Sequence, residues 1–347
     1  MKKAGIITLF GEYNFGNRLQ NYAVQETLKR FNLEVETIKY LGLYDDVASE
    51  ENDIHKNSLA KFKKFNENIK FGKDIIYKEY DVPEGFADQY DYFVMGSDQI
   101  WNFTYDTIFS EKAFASFALK HKKVSFSASF GINYTPEEGT ELHRMCKEKI
   151  EDIKAISVRE HAGKDIVKKL TGRTDVEVLI DPTMMLKQED WEKVMKKPEN
   201  LKTDKFIVKS FLGNSLDNSW KEICRIAEEN DCEIIDISDK NSPYYDMGPA
   251  EFLYLEKNAF LVATDSFHAC VFSILFSTPF IVFERDDNKL ESMHSRIETL
   301  LKTFNMENRV FKQSIDESIF DNNYTEAHKV LEQERTRVNE FLKKHLI

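Results

Sequence analysis

Residues Leu261 to Glu284, LVATDSFHACVFSILFSTPFIVFE, hold the pattern that fixes the class of fold. The apolar run Phe260 to Ala263 predicts a short buried strand, the polar group Thr264-Asp265-Ser266 breaks it, and an apolar helix starts at Phe267. Pro279 ends that helix, and Phe280 to Phe283 reads as the next strand. The result is a strand, turn, helix, strand unit with its polar residues at the strand's C-terminal end. Open α/β sheets hold ligands at that end, where unpaired N–H groups at a helix start attract anions. His268 lies there, in a helix whose Cys270, Val271, Phe272, Ile274, Leu275 and Phe276 are apolar on nearly every side. Asp265 or Ser266 can cap the helix, which leaves the imidazole as a titrating group at its one wet end.

Upstream, the same unit recurs. The first strand runs from the N-terminus toward Phe10 and leads into the Gly11 to Asn17 loop and a helix from about Arg18 to Phe31. Asn14, Gly16 and Asn17 fit a backbone cradle for phosphate or sugar, and fit equally a plain turn with positive φ. Leu33 to Lys39 reads as a strand, and residues 44–80 as a polar, Lys/Asn-rich, helical insertion without chemistry of its own. Tyr92 to Met95 is a buried strand that runs into Gly96-Ser97-Asp98-Gln99-Ile100-Trp101-Asn102, placing Asp98 and Gln99 at a strand end, where side chains face ligands. Strands are predicted at Lys123 to Ser129, at Ala155 to Val158 before Arg159-Glu160, and at Val176 to Ile180 before Asp181-Pro182-Thr183; helices cover about Pro136 to Ile153 and His161 to Leu170. This alternation predicts an α/β protein with a parallel, doubly wound sheet.

The alternation pauses over Met184 to Asp204, a charged stretch predicted to be helical, and restarts with strands at Lys205 to Phe211 and Cys232 to Ile237. Helices are predicted at about Asn218 to Asn230 and Pro249 to Lys257, and an amphipathic helix from Thr325 to Leu346 closes the chain. Two domains are therefore expected, 1–184 and 205–324, with the 325–347 helix packing back toward the junction.

Composition excludes several classes of function. With 347 residues, 41% of them hydrophobic, the chain can build two ordinary cores. A net charge of -12 argues against a broad nucleic-acid surface, so any bound anion needs local cations. Cys146, Cys224, Cys232 and Cys270 form no CxxC pair and read as reduced thiols, with no metal cluster in view. No run approaches the ~18 apolar residues that span a bilayer, and the start does not read as a signal sequence. A cytoplasmic protein, in peripheral contact with a membrane at most, is the expectation.

Five segments, taken in order, resemble the polysaccharide pyruvyl transferase family: Asn14 to Ala23, Gly96 to Asn102, Ile156 to Glu160, Asp181 to Thr183, and Thr264 to His268. The resemblance runs from Ile6 to about Arg296. It implies two Rossmann-like domains facing across a cleft, similar to the GT-B glycosyltransferases. It also implies a transferase that moves a pyruvyl group from phosphoenolpyruvate to the hydroxyls of a lipid- or nucleotide-linked saccharide, a cell-surface glycan precursor. Phosphoenolpyruvate is then the donor substrate, with no cofactor or metal required. In the family an arginine stands two residues before the histidine that His268 matches; here Ser266 holds that place. Arg159, Arg285 and Lys289 are the candidate cations for the donor, with Ser266, Asn14, Gly16, Asn17 and Gln99 as further binding residues. Near a dianion His268 is biased toward imidazolium and suits a general acid, while Asp98 or Asp265 is the candidate base. Arg159 and His268 are expected to face each other across the cleft. The same architecture serves a glycosyltransferase using a nucleotide sugar, or a non-catalytic sugar- or nucleotide-binding protein.

Overall fold

Alternating apolar runs and polar turns become two all-parallel sheets in the computed structural model, which describes residues 1–9, 14–41, 53–105, 109–213, 217–284, 294–320 and 323–347. Arg285 and Lys289 lie outside the described residues, as does most of the loop before Asn14. Strands β1 (Lys3–Ile7), β2 (Glu34–Leu41), β3 (Phe71–Tyr77), β4 (Tyr92–Met95) and β5 (Lys123–Ser125) lie in the order β3-β2-β1-β4-β5, the order of a Rossmann sheet. Bridges Val124–Ala155 and Ala128–Val158 attach a short parallel pair, β6 (Ser157–Val158) and β7 (Glu177–Val178). The second sheet holds β8 (Phe206–Ser210), β9 (Glu233–Asp236), β10 (Leu261–Thr264) and β11 (Phe280–Val282) in the order β11-β10-β8-β9. Strand order reverses between β1 and β4 in the first sheet and between β8 and β10 in the second. Such switch points open a crevice at the strands' C-terminal ends.

The helices are α1 (Phe15–Lys29), α2 (Asp53–Asn66), α3 (Glu141–Glu151), α4 (His161–Thr171), α5 (Gln188–Glu192), α6 (Asp217–Asn230), α7 (Pro249–Asn258), α8 (Phe267–Phe276), α9 (His294–Thr303) and α10 (Thr325–Leu346). Two compact units result: unit 1 is Met1–Glu51, Asn66–Leu186 and Gln333–Ile347, and unit 2 is Asn52–Phe65 and Lys187–Glu332. Unit 1 is α/β around β1–β5 and unit 2 is α/β around β8–β11, so each is Rossmann-like. In unit 2, α2 is held by Ser58 Oγ, which donates to the Met247 carbonyl at 3.2 Å, and by Lys61, 3.8 Å from Glu251. In unit 1, the end of α10 is held by Arg335, whose Nε and Nη2 donate to the Met184 and Leu186 carbonyls at 2.7 Å each. Among the described residues no helix is long and apolar enough to cross a membrane.

Several local expectations shift. Asn14 caps α1, its side chain accepting from Asn17 N at 3.1 Å, so the helix starts at Phe15 and takes Gly16 and Asn17 out of the loop. The 44–80 insertion contains an edge strand, β3, as well as α2. The charged stretch after Met184 forms only the five-residue α5, anchored by Trp191, whose ring meets Phe272 edge-on at 5.0 Å. Trp101, by contrast, packs as a buried Trp can: it is wholly buried, stacked on Phe114 at 5.4 Å with its Nε1 donating to the Ala113 carbonyl at 3.1 Å. All four cysteines are free thiols.

Gly96, just after β4, takes φ +112°, and a Cβ there would lie 2.5 Å from the Phe126 carbonyl oxygen. Backbone cannot yield as a flexible side chain can. Gly96→Ala is expected to lower the unfolding free energy by about 1–3 kcal/mol, read as a lower urea midpoint. An unchanged midpoint would mean that this turn moves freely.

Candidate active site

At the unit 1 switch point the chain ends that carry Asn17, Asp98, Arg159 and Asp181 converge. The turn after β4 is held from beneath by Gln20. Its amide oxygen accepts from Ser97 N at 2.9 Å, and its nitrogen donates at 2.7 Å to Thr8 Oγ1, which in turn donates to the Ser97 carbonyl at 3.0 Å. Asp98 follows with φ 61°, and its backbone carbonyl accepts from Ser129 N at 2.9 Å, tying the turn to the connection after β5. Gly131 in that connection has φ +67°; a Cβ there would fall 1.8 Å from Gln99 Oε1, so only glycine leaves room for the amide.

Onto this frame the charged groups are set. Asp98 Oδ1 accepts from Arg159 Nη2 at 3.2 Å and from Gln99 N at 2.9 Å, while Asn17 Nδ2 donates to Asp98 Oδ2. Asp181 Oδ2 accepts from Arg159 Nη1 at 2.7 Å and from Ser97 Oγ at 3.2 Å, and the other Asp181 oxygen accepts from Thr183 N at 3.0 Å and Thr183 Oγ1 at 2.7 Å. Glu160 is wholly buried beside them, its Oε1 accepting from Ser129 Oγ at 2.9 Å and Phe130 N at 3.0 Å. Burial works against the Arg159 charge, but Asp181, Asp98 and Glu160 outweigh it and hold its pKa above the ordinary value. The guanidinium thus has both terminal nitrogens on carboxylates. In the sequence Asp181 stands out only as part of a motif; its four-way anchoring is not legible there, because its partners Arg159 and Ser97 lie 22 and 84 residues away.

The unit 2 switch point is built differently. Asp265 does not cap α8. Its two oxygens accept from the backbone N–H groups of Leu212 at 2.7 Å and Gly213 at 2.9 Å, so it fixes the connection after β8. Ser266 occupies the cap position without a side-chain cap bond, and its own N–H donates to Thr264 Oγ1 at 2.9 Å. Every residue of α8 is buried, His268 included at 8% exposure, with its ring edge-on to Phe267 at 5.3 Å. The expected wet end is therefore a nearly closed one.

Below His268, α8 packs on α7 through a carboxyl that the sequence does not single out. Glu256 is wholly buried, with Ser273 Oγ donating to its Oε2 at 3.4 Å and no partner for Oε1. Burial pushes its carboxyl well above the ordinary 4.5. Below pH 4.5 both folded and unfolded states are protonated; as pH rises past that value only the unfolded state ionises, so stability falls until the folded-state value is reached. Glu256→Gln is expected to flatten this fall, leaving the variant more stable than wild type at neutral pH by urea denaturation. Identical pH dependence of the two proteins would exclude Glu256 as its source.

Comparison with known proteins adds the family. Residues 14–287 match the family model for polysaccharide pyruvyl transferase. No curated protein matches the chain in sequence. Among solved structures the chain is similar to UDP-GlcNAc 2-epimerase from Methanocaldococcus jannaschii, with TM-score 0.51 and 13% identity over 96% of this chain and 92% of that one. It is also similar to a putative UDP-N-acetylglucosamine 2-epimerase from Listeria monocytogenes, with TM-score 0.52 and 10% identity over 97% and 90% of the two chains. At such identities the likeness establishes the GT-B-like α/β fold and nothing of the chemistry. The family match takes in the Asn17, Asp98, Arg159, Asp181 and His268 segments together and covers the greater part of the chain, which belongs to the polysaccharide pyruvyl transferase family.

Proposed function

We propose that this protein transfers a pyruvyl group from phosphoenolpyruvate to two hydroxyls of a saccharide, forming a cyclic ketal and releasing phosphate. The observation that supports it most is the family match across both switch points. In the balanced reaction both hydroxyl protons leave the sugar, one ending on the donor's methylene carbon and one departing with phosphate. The α8 start in unit 2, with Ser266 and His268, receives the donor, and His268 supplies the proton as general acid. Ser266 brings a hydroxyl where arginine is expected, so the donor's charge falls to other cations; Arg285 and Lys289, after β11, are the candidates. Asp98 accepts a sugar hydroxyl proton, while Asp265, committed to two backbone amides, acts only as a support. The acceptor is a lipid- or nucleotide-linked precursor of a cell-surface glycan, modified on the cytoplasmic side of the membrane before export.

The test is a screen of nucleotide- and lipid-linked sugars with labelled phosphoenolpyruvate. Label entering a saccharide, with equimolar inorganic phosphate, is the expected result. If no saccharide takes label while a nucleotide sugar is consumed and nucleoside diphosphate appears, the enzyme is a glycosyltransferase instead.

A further inference from the structure

The edge where the first sheet begins carries charge out of keeping with the chain as a whole. β1, β4 and β5 run parallel and begin at Lys3, Tyr92 and Lys123, so their starts share the edge opposite the strand ends that lead to Asp98. Lys2 Nζ donates to the Tyr92 hydroxyl at 2.8 Å and lies 5.1 Å from the centre of that ring. Lys154 Nζ lies 6.0 Å from the same centre and donates at 2.9 Å to the carbonyl of His345, near the end of α10. Along the edge, Lys120 Nζ donates to the Glu151 carbonyl at 2.8 Å, and Lys122 Nζ to the Ala87 and Tyr90 carbonyls at 2.9 Å each. These ammonium groups rest on carbonyls, a phenol and an aromatic face. Such partners orient a cation and leave its charge in place.

A neighbouring group feels the field that results. Burial first, and then the charges of Lys344 and Lys154, keep the His345 imidazole below its ordinary pKa, with Asp175 a weaker opposing influence. Several acids of this edge are already engaged: Asp175 by Arg173 at 2.9 Å, Asp152 by the buried Lys123, and Asp91 by Lys3 N at 2.7 Å. Glu151, Glu84 and Asp88 remain beside Lys120 and Lys122, so the balance is most positive around Lys2, Lys154 and Lys344. An apolar group completes the surface. Leu119, in the same turn as Lys120 and Lys122, is 65% exposed and lines a cavity of about 430 Å³ with Val82, Pro83 and Phe117. Exposed lysines around a tyrosine ring, next to an exposed leucine, are the mixture that suits a lipid headgroup layer.

We propose that this edge of unit 1 docks on an anionic lipid bilayer, with Lys2, Lys154 and Lys344 on the headgroups and Leu119 entering the boundary with the acyl chains. A soluble polyanion would answer the lysines and leave the leucine in water; a bilayer answers both. With a net charge of -12, most of the surface is repelled by such a bilayer. The patch therefore acts at short range, within a Debye length of about 10 Å at 0.1 M salt, and sets the orientation of docking. The Asp98 turn, at the opposite ends of the strands, is left uncovered by lipid. None of this rests on the pyruvyl-transfer reading.

The test is cosedimentation of the full chain with vesicles of phosphatidylglycerol and phosphatidylcholine in equal parts. Wild type is expected to pellet with them at low salt, to be released at high salt, and to ignore vesicles of phosphatidylcholine alone. Lys154→Gln combined with Lys344→Gln should weaken binding about fivefold for each lysine lost. Glutamine keeps a donor for the His345 carbonyl, and an unchanged circular dichroism spectrum would verify the fold. Lys202→Gln combined with Lys221→Gln, both exposed in unit 2, makes the same change in net charge and should bind like wild type. Leu119→Ser should also weaken binding to vesicles. Failure of wild type to pellet, equal losses in the two lysine pairs, or binding indifferent to Leu119→Ser would each overturn the proposal, the last in favour of a site for soluble polyanions. Wild type that binds vesicles but never consumes phosphoenolpyruvate would leave this surface standing and sink the pyruvyl-transfer reading alone.

Discussion

His268→Asn is expected to lower turnover with phosphoenolpyruvate about 10²–10⁴-fold, the usual contribution of a positioned proton-transfer group, while donor affinity changes far less. Asparagine keeps a polar side chain at the start of α8 but cannot titrate, so a loss confined to kcat marks proton transfer, whereas a rise in Kd alone marks simple binding. The site favours a clean reading. α8 is buried along its whole length and its N-terminal turn is braced from outside, by Thr264 Oγ1 on Ser266 N and by Asp265 on the neighbouring connection. Single-turnover kinetics with an accepted saccharide would separate the two effects. A variant with wild-type kcat would remove His268 from the chemistry, whatever the donor proves to be.

Arg159→Met is expected to cost about 3–5 kcal/mol of unfolding free energy, the penalty for breaking a buried ion pair by removing one partner. Methionine fills much of the volume but leaves Asp98 and Asp181 buried without their shared donor. Arg159→Lys should cost less, since an ammonium can reach one carboxylate but cannot bridge two as the planar fork does. Asp181→Asn in the Arg159→Met background should recover part of the loss, because it removes one of the stranded charges; such non-additivity is the mark of a coupled network. Urea midpoints of wild type and these variants settle it. Additive effects, or a loss in Arg159→Met within about 0.5 kcal/mol of zero, the range of an ordinary surface change, would show that the guanidinium does not hold the turn.

How far the sequence could be read follows from where its signals are local. The Leu261 to Glu284 stretch reads correctly as β10, α8 and β11, because its apolar runs are punctuated by Asp265-Ser266 and Pro279. The parallel Rossmann-like sheets follow from the same alternation. β3 is hidden, because an edge strand buries only part of one face: Phe71 to Tyr77 has two buried positions in seven, and Lys73 and Asp74 make it look like loop. The start of α1 is misplaced by three residues, since Asn14 can serve as turn or cap and only its bond to Asn17 N decides. Of the two cap candidates at α8, Ser266 takes the position and Asp265 does not, its partners being 52 and 53 residues away. The candidate residues of unit 1 are legible one by one as strand ends. That Arg159 meets Asp98 across 61 residues, and so is held by acids, is a property of strand order that no local spacing encodes.

The two units are interleaved along the chain. Helix α2, with Phe62 and Phe65 buried, precedes three strands of the first sheet but belongs to unit 2, and the last fifteen residues return to unit 1. On the ribosome, therefore, neither unit can be finished in turn. The first sheet has all five strands long before the end of α10 emerges with Val338, Leu342 and Leu346, all buried in the finished protein. A newly made unit 1 lacks its Gln333–Ile347 segment until nearly the whole of unit 2 has been synthesised. Cleaving the gene between the codons for Leu186 and Lys187 would yield two incomplete fragments, each lacking a helix the other carries, and co-expression of the two halves is the arrangement under which both can mature.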